Sequence, residues 1–232
     1  DGSRVAFLST QSGETLLKVV DKNGTNTMSY PLSNASAWQP RWSPNGQRVA
    51  FVASQDGKSD VYVIDKDGSN LIRVTDSPDL EDLGSWSPDG VWLVFAIADG
   101  GDPGIYIRNP DGVDLIKLTD APAWGTTWAP RGDKIAFFAQ GEEGAQINLV
   151  GKEDQGVTSL TNHAYGESSV AWSPDAKRIA FVSQQNGNLE IYTMRDDGSD
   201  QRRLTRNEVT DQNPIWSANG KSIVFVSYLH GN

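Results

Sequence analysis

A tryptophan followed by a turn signal recurs through this 232-residue chain at nearly constant spacing. The five copies are Trp42-Ser-Pro-Asn-Gly, Trp86-Ser-Pro-Asp-Gly, Trp128-Ala-Pro-Arg-Gly, Trp172-Ser-Pro-Asp-Ala and Trp216-Ser-Ala-Asn-Gly. Six phenylalanines keep the same period of 42 to 44 residues, namely Phe7, Phe51, Phe95, Phe137, Phe181 and Phe225. Self-similarity at a fixed period of this length indicates a repeat architecture, in which each repeat is one structural unit.

Each repeat holds four short runs of β-forming residues. The turn after the tryptophan leads into an apolar run such as Arg48–Ser54, which predicts a strand. A second run often carries a tyrosine, as at Tyr62 and Tyr192, and leads into Asp-Gly or Asn-Gly turns that are strong hairpin signals. A third run ends in Leu-Thr or a similar pair, and a fourth ends at the next tryptophan. None of these runs has helical periodicity.

Four-stranded antiparallel units that repeat every 40 to 50 residues are typical of the blades of a β-propeller. We therefore predict an all-β fold, with a β-sandwich of coincidental spacing as the alternative. The strand that ends at the tryptophan is termed A and is expected to be innermost. Strand B carries the phenylalanine, C follows it, and D ends in Leu-Thr. Continuous apolar runs such as Val91–Ile97 indicate burial on both faces.

We expect one propeller domain over residues 1–232. Its repeats lie at about 1–44, 45–88, 89–130, 131–174 and 175–218, with a partial repeat at 219–232. This division supplies six B strands but five each of A, C and D. A six-bladed parent with an incomplete ring is favoured. In the rival five-bladed closure, the strand at Gln212–Trp216 would complete the first blade.

Composition excludes several classes of function. The 30 acidic and 20 basic residues leave a net charge of −10, whereas nucleic-acid binding needs a surplus of Lys and Arg. The absence of cysteine excludes disulfides, thiolate metal sites and thiol catalysis. No apolar run reaches 18 residues, so no membrane insertion is expected.

The repeat also resembles a known family. Its best copy is 172–183, followed by Glu190-Ile-Tyr192, Asp197-Gly-Ser199 and Arg203-Leu-Thr205. This pattern resembles the TolB-type propeller repeat, also called the WD40-like PD40 repeat. The resemblance implies a propeller, often six-bladed, as in periplasmic TolB proteins, which dock peptidoglycan-associated lipoprotein. It also implies kinship with propeller domains of serine peptidases and of other exported bacterial proteins.

No catalytic constellation stands out in the sequence. There is no Gly-x-Ser-x-Gly motif, and the two histidines, His163 and His230, are far apart. The acidic turn at 65–70 resembles a calcium loop, but Asn70 stands where that loop needs glycine, and the final glutamate is absent. We therefore predict no enzyme activity, no cofactor and no metal site.

Residues that break the repeat are the candidates for a binding site. Trp38 and Trp124 both lie four residues before a blade tryptophan, where the other repeats have Asp82, Ser168 and Gln212. The D–A and B–C loops emerge on one face of a propeller and are expected to converge there. The predicted binding residues are Trp38, Trp124, Tyr165, Glu81, Asp82 and Asp211. Alternatively, the two indoles plug the channel or pack under neighbouring loops.

The predicted function is a non-catalytic binding or scaffold propeller in the periplasm or outside the cell. Its expected partner is a protein with a basic patch, because the chain is acidic. One alternative is the gating propeller of a serine peptidase whose catalytic domain lies outside this chain. The other is glycan recognition by the aromatic residues and nearby carboxylates.

Overall fold

The computed structural model of the chain describes residues 2–11, 14–32, 36–55, 58–76, 81–111, 113–142, 144–153, 155–162 and 167–228. Across these residues the regular elements are twenty-one β-strands, which form six antiparallel sheets. No helix occurs within those ranges. The all-β prediction is thus confirmed.

The chain passes through the six sheets one after another. Sheet one holds β1 (Arg4–Gln11), β2 (Glu14–Asp21) and β3 (Thr27–Leu32). Sheet two holds β4 (Ser36–Trp42), β5 (Arg48–Gln55), β6 (Lys58–Asp65) and β7 (Ile72–Arg73). Sheet three holds β8 (Glu81–Trp86), β9 (Leu93–Ile97), β10 (Gly104–Arg108) and β11 (Leu115–Lys117).

The second half of the chain continues the same succession. Sheet four holds β12 (Ala123–Trp128), β13 (Lys134–Gly141), β14 (Gly144–Gly151) and β15 (Val157–Ser159). Sheet five holds β16 (Ser168–Trp172), β17 (Arg178–Ser183), β18 (Glu190–Arg195) and β19 (Arg202–Arg203). Sheet six holds β20 (Thr210–Trp216) and β21 (Ile223–Tyr228).

The A strands of neighbouring sheets lie against one another at the centre. The indole N–H of Trp86 donates to the carbonyl of Arg41 at 3.0 Å, and that of Trp216 donates to Ala171 at 3.1 Å. In these two repeats the blade tryptophan therefore fastens the A strand of the preceding repeat. Successive antiparallel sheets joined at their inner strands form a β-propeller, as the repeat predicts.

The Ser-Pro turn after each tryptophan is held by its own side chains. The Ser43 hydroxyl donates to Asn45 Oδ1 at 2.8 Å and accepts the N–H of Arg48 at 2.9 Å. Gly46 has a φ of 65°, a left-handed conformation that favours glycine. The Ser173 turn repeats this pattern with Asp175 as the acceptor. The motif thus sets the A–B hairpin.

The phenylalanines form the core between sheets. Each internal B strand has two buried faces: Val49 and Phe51 point toward sheet one, and Ala50 and Val52 point toward sheet three. We call these the front face and the back face of a sheet. The four internal phenylalanines are only 1–3% exposed: Phe51, Phe95, Phe137 and Phe181.

The threonine of the Leu-Thr signature has a local structural role. In four sheets its hydroxyl accepts a backbone N–H of strand C, where strand D has ended. The donors and acceptors are Val61 to Thr75, Ile105 to Thr119, Ile147 to Thr161 and Ile191 to Thr205, at 2.8–3.0 Å. Strand D is shorter than strand C, and the threonine hydroxyl satisfies a strand-C N–H that the backbone of strand D does not reach.

The described residues supply three strands of the first sheet and two of the last, as the strand count predicts. Sheet one contains strands B, C and D, and sheet six contains strands A and B, within that part of the chain. Phe7 and Phe225 are each 38% exposed, in contrast to the internal phenylalanines. Of the repeat tryptophans, Trp86 and Trp128 are buried, and the other three are half-buried. The number of blades in a closed ring stays a prediction.

Candidate functional site

The A strands share a β-bulge near the end at which they receive the D–A loops. Strand pairing with B is interrupted there, as between Trp38 and Arg41 in β4. The residue three positions before the blade tryptophan has positive φ in four A strands, namely Gln39 (56°), Gly125 (62°), Ser169 (54°) and Asn213 (54°). Bulges redirect side chains and are common beside functional sites.

Asp82 joins three of these A strands. Its Oδ1 accepts Gln39 Nε2 from β4 at 2.8 Å, and its Oδ2 accepts the backbone N–H of Gly125 from β12 at 2.7 Å. The amide oxygen of Gln39 in turn accepts the N–H of Leu83 at 3.1 Å. The carboxylate of Asp82 therefore holds the inner strands of sheets two, three and four together.

A cavity of about 480 Å³ opens at this junction. It is lined by the A strands of sheets two to five, with contributions from Asp82 and Trp124. Arg41, whose Nε donates to the Gly84 carbonyl at 3.2 Å, supplies a positive charge. Hydroxyls come from Ser85, Thr126, Thr127, Ser168 and Ser169. We call this space the inner cavity, and its lining combines an aromatic ring, both charges and several hydroxyls.

The two predicted aromatic anchors occupy equivalent positions in different sheets. Trp124 is half-buried, stacks on Phe138 with ring centroids 6.3 Å apart, and packs against the core between sheets four and five. Trp38 is also half-buried and packs against the core between sheets two and three. Both indoles therefore seal an interface while keeping part of their surface accessible.

The ring of Phe138 explains why the residue beside Trp124 is glycine. Residues with side chains adopt a similar positive φ at the equivalent position of other repeats, but a Cβ at Gly125 would come within 2.7 Å of this ring. Its N–H can therefore reach Asp82 only while the residue has no side chain. A larger residue would displace either the strand or the stacked ring under Trp124.

Glu81 and Asp211 are inside the protein. They share one repeat position, five residues before the blade tryptophan, which Glu167 also occupies. Glu81 is 4% exposed and accepts the Thr75 hydroxyl, and Asp211 is fully buried and accepts Asn207 Nδ2 at 2.8 Å. The prediction that these two carboxylates break the repeat is wrong, because three repeats use this position for internal hydrogen bonds.

Burial controls the ionisation of Glu81. Desolvation raises its pKa to about 7, and the nearby carboxylate of Asp60 adds to this increase. The hydroxyl of Thr75 opposes the shift by donating to the carboxylate. Glu81 therefore titrates close to neutral pH.

Two buried carboxylates that pair with partly exposed arginines lie next to this position, and neither pair was predicted from the sequence. Arg73 pairs with Asp60 and Arg203 pairs with Glu190, each at 2.7 Å. Burial would raise the pKa of Glu190, but hydrogen bonds from Thr205 and Arg203 outweigh it and lower the pKa. A sequence pattern could have revealed these pairs. In both repeats an acidic residue lies two positions before the C-strand tyrosine, and an arginine lies two positions before the D-strand threonine.

The structure brings only part of the predicted site together. Asp82 and Trp124 line the inner cavity, and Trp38 lies next to Gln39, which binds Asp82. Tyr165 and both histidines, His163 and His230, lie outside the described residues. Gln39 and Arg41 were missed, although the polar residue three positions before the tryptophan in several repeats was a usable signal.

Two negative observations apply to the described part of the chain. No group of three or more His, Asp or Glu side chains there is placed to hold a metal ion. Nor does that part contain a helix with the length and apolar character to cross a bilayer.

Comparison with protein-family models identifies one family for this chain. The family model described as "TolB beta propeller domain" matches residues 1–171 and 121–232. No curated protein matches the chain in sequence. The structural likenesses are close in fold but low in sequence identity.

Three solved structures illustrate the range of this likeness. TolB from Acinetobacter baumannii superposes with a TM-score of 0.76 at 20% identity, over 95% of this chain and 57% of that one. A protein assigned as TolB from Agrobacterium tumefaciens gives 0.71 at 20% identity, over 97% and 86%. The tricorn protease gives 0.66 at 16% identity, over 97% of this chain and 24% of its own. The chain thus spans little more than half of the Acinetobacter protein.

Proposed function

The chain belongs to the TolB β-propeller domain family, and on this basis we propose that it is a non-catalytic propeller that binds a protein partner. We further propose that residues 1–232 act as a single propeller domain, derived from a six-bladed parent. The binding face is the one that carries the D–A and B–C loops.

The inner cavity carries this proposal. Four A strands contribute to it, so residues far apart in sequence form one concave surface. The indole of Trp124 is already held against Phe138. Its side chain would therefore lose little conformational entropy when a partner binds. Trp38, Tyr165 and Asp82 complete the proposed surface. Glu81 and Asp211 support it from beneath.

Charge sets the expected partner. The net charge of −10 attracts a protein with a basic patch over long range, whereas Asp82 and Arg41 act at short range in the cavity. The family resemblance points to peptidoglycan-associated lipoprotein as the first partner to test. It also favours a periplasmic or extracellular location.

The experiment is a binding titration with the soluble domain of peptidoglycan-associated lipoprotein. We expect Trp124→Ala to weaken binding by about tenfold or more, as for an aromatic hot spot. Trp92→Ala is the matched control, because this half-buried indole lies at the A–B end of its sheet, under the Lys152 ammonium at 5.1 Å. Equal effects of both variants, with the fold intact, would contradict the proposed face.

An alternative function is supported by structural similarity to a peptidase. The tricorn protease shares this fold, which favours the gating propeller of a peptidase as the second candidate function. In that case the cavity would admit peptides to a catalytic domain outside this chain, and no lipoprotein binding would be seen. Glycan recognition by Trp38 and Trp124 is the third candidate, and a glycan array tests it.

A further inference from the structure

A cleft separates sheets four and five on the face of the propeller that carries the A–B and C–D turns. Its volume is about 630 Å³. Both sheets have four strands, so no missing strand creates this space. We call it the inter-sheet cleft, and its lining includes Lys134, Leu149, Gly151 and Leu160 of sheet four and Asp196 and Asp197 of sheet five.

The two sheets contact each other on both sides of this cleft. Toward the centre of the propeller, Arg131 Nη2 donates to the carbonyl of Asp175 at 3.2 Å. Toward the periphery, the C–D turn of sheet five lies against the end of strand D in sheet four. A Cβ on Gly198 would come within 2.7 Å of the carbonyl oxygen of Leu160 there. The space between these contacts is therefore built into the packing of the sheets.

Gly151 leaves a cation in the cleft without its usual acceptor. In sheets one and two the last residue of strand C is an aspartate that pairs with an arginine at the start of strand B: Arg4 with Asp21 and Arg48 with Asp65, each at 3.2 Å. In sheet four the corresponding cross-strand neighbours are Lys134 and Gly151. Glycine offers no carboxylate, and within the described residues the ammonium of Lys134 has no ion pair.

The C–D turn of the next sheet does not supply the acceptor either. At two other interfaces this turn contacts the residue at or next to the start of strand B in the preceding sheet: Asp111 with Arg48 at 2.9 Å, and Lys152 over the Trp92 ring at 5.1 Å. Between sheets four and five, Lys134 and the turn residues Asp196 and Asp197 all line the cleft, and no ion pair joins them. Opposite charges therefore border one open space.

Charge is divided between the two walls. The three cationic side chains of the lining, Arg131, Lys134 and Lys152, all belong to sheet four, together with the turn carboxylates Asp133 and Glu153. Sheet five contributes charge only as the carboxylates of Asp196 and Asp197. The floor is apolar, because Leu149 and Leu160 form it and are 4% and 7% exposed.

These features suit a ligand that carries one charge of each sign on an apolar body. Stacked sheets lie about 10 Å apart. An extended dipeptide spans about 7 Å, so its two termini can meet side chains from both walls. A free amino acid carries both charges on one carbon and is too short for this. A ligand carboxylate at Lys134 would take the place that aspartate has in sheets one and two.

We propose that the inter-sheet cleft binds a short peptide with free termini and apolar side chains. The C-terminal carboxylate accepts a hydrogen bond from Lys134, the N-terminal ammonium donates to Asp196, and the side chains cover Leu149 and Leu160. An internal segment of a longer chain lacks both terminal charges and would satisfy neither wall. The cleft lies on the face opposite to the D–A and B–C loops, so this proposal is independent of the inner cavity.

The probe is the dipeptide leucyl-leucine, titrated into the full chain by isothermal titration calorimetry. We expect saturation at one dipeptide per chain. Amidation of its C-terminus and acetylation of its N-terminus should each weaken binding about tenfold or more, because each removes a charge-assisted hydrogen bond. Lys134→Met should reduce the affinity for the free acid to that for the amide, and it should leave the affinity for the amide unchanged.

Gly151→Asp is the second variant. It restores the cross-strand carboxylate of sheets one and two, so it should pair with Lys134, keep the fold and abolish dipeptide binding. Lys22→Met is the matched control, because this exposed lysine lies in the C–D turn of sheet one, and it should leave binding unchanged. Equal binding of the free and the capped dipeptides would overturn the proposal. So would full affinity in Lys134→Met, or no saturation at millimolar dipeptide.

Discussion

The carboxylate of Asp82 accepts the backbone N–H of Gly125 at 2.7 Å, although the two residues lie 43 positions apart and in different sheets. With Gln39 on its other oxygen, Asp82 connects the inner strands of three sheets. Asp82, which was predicted to bind a partner, is therefore also a structural link between blades. A substitution at Asp82 can lower binding either directly or by destabilising the fold.

Removing this link should destabilise the protein. Asp82→Ala leaves the Gly125 N–H and the Gln39 amide without their acceptor, and we expect a loss of about 1–3 kcal/mol in the free energy of unfolding. Urea denaturation followed by tryptophan fluorescence measures it. Asp120→Ala is the control, because the Asp120 side chain is 93% exposed and its ion pair with Lys117 is on the surface. A loss no larger than that of the control would contradict the link.

Glu81 should make stability depend on pH. Because burial raises the folded pKa to about 7, the folded state binds more protons than the unfolded state between about pH 4.5 and 7. The contribution of Glu81 is therefore fully present below this window and is lost as pH rises through it, by on the order of 3 kcal/mol. Glu81→Gln removes the titration, so its stability relative to the native chain should increase from pH 4.5 to 7.

Glu190→Gln is the comparison for that experiment. The pKa of Glu190 is lowered in the folded state, so this group stays ionised throughout the pH window of Glu81. The stability difference between Glu190→Gln and the native chain should stay constant from pH 5 to 8. A constant difference for Glu81→Gln over the same range would show that Glu81 does not titrate there. Urea midpoints at several pH values provide the data.

Trp128 should contribute strongly to stability. It is 5% exposed and belongs to the core between sheets three and four. Trp128→Ala leaves a large cavity and should cost roughly 3–5 kcal/mol in thermal or urea unfolding. Val113→Ala, at a residue that is 80% exposed, should change stability by less than about 0.5 kcal/mol. Comparable effects at the two sites would be inconsistent with the packing described.

Partner binding should respond to salt and to the two indoles in different ways. Raising salt from low to moderate concentration should slow association with a basic partner, because screening weakens long-range attraction. The double substitution Trp38→Ala and Trp124→Ala should instead raise the dissociation rate, because short-range contacts are lost. Surface plasmon resonance separates the two rates. If the folded double variant binds its partner with unchanged affinity, neither indole belongs to the binding site.

The repeat predicted most of the fold because its signals are local. The Ser-Pro turn, the Asp-Gly turn and the alternation of apolar runs each determine a hairpin between neighbouring strands. Strand order and the inner position of the A strands could both be derived in this way. The Leu-Thr signature was visible too, but its hydrogen bond to strand C is evident only in the structure.

The sequence by itself determined that this chain forms successive antiparallel sheets with aromatic cores, since the same residues recur at the same step of every repeat. Only the tertiary structure decided which side chains reach the inner cavity. Glu81 and Asp82 are adjacent carboxylates, yet Glu81 is buried and accepts the Thr75 hydroxyl, whereas Asp82 joins three sheets. Neighbouring side chains on a strand point to opposite sides, and what each one meets depends on the next sheet, which lies more than forty residues away.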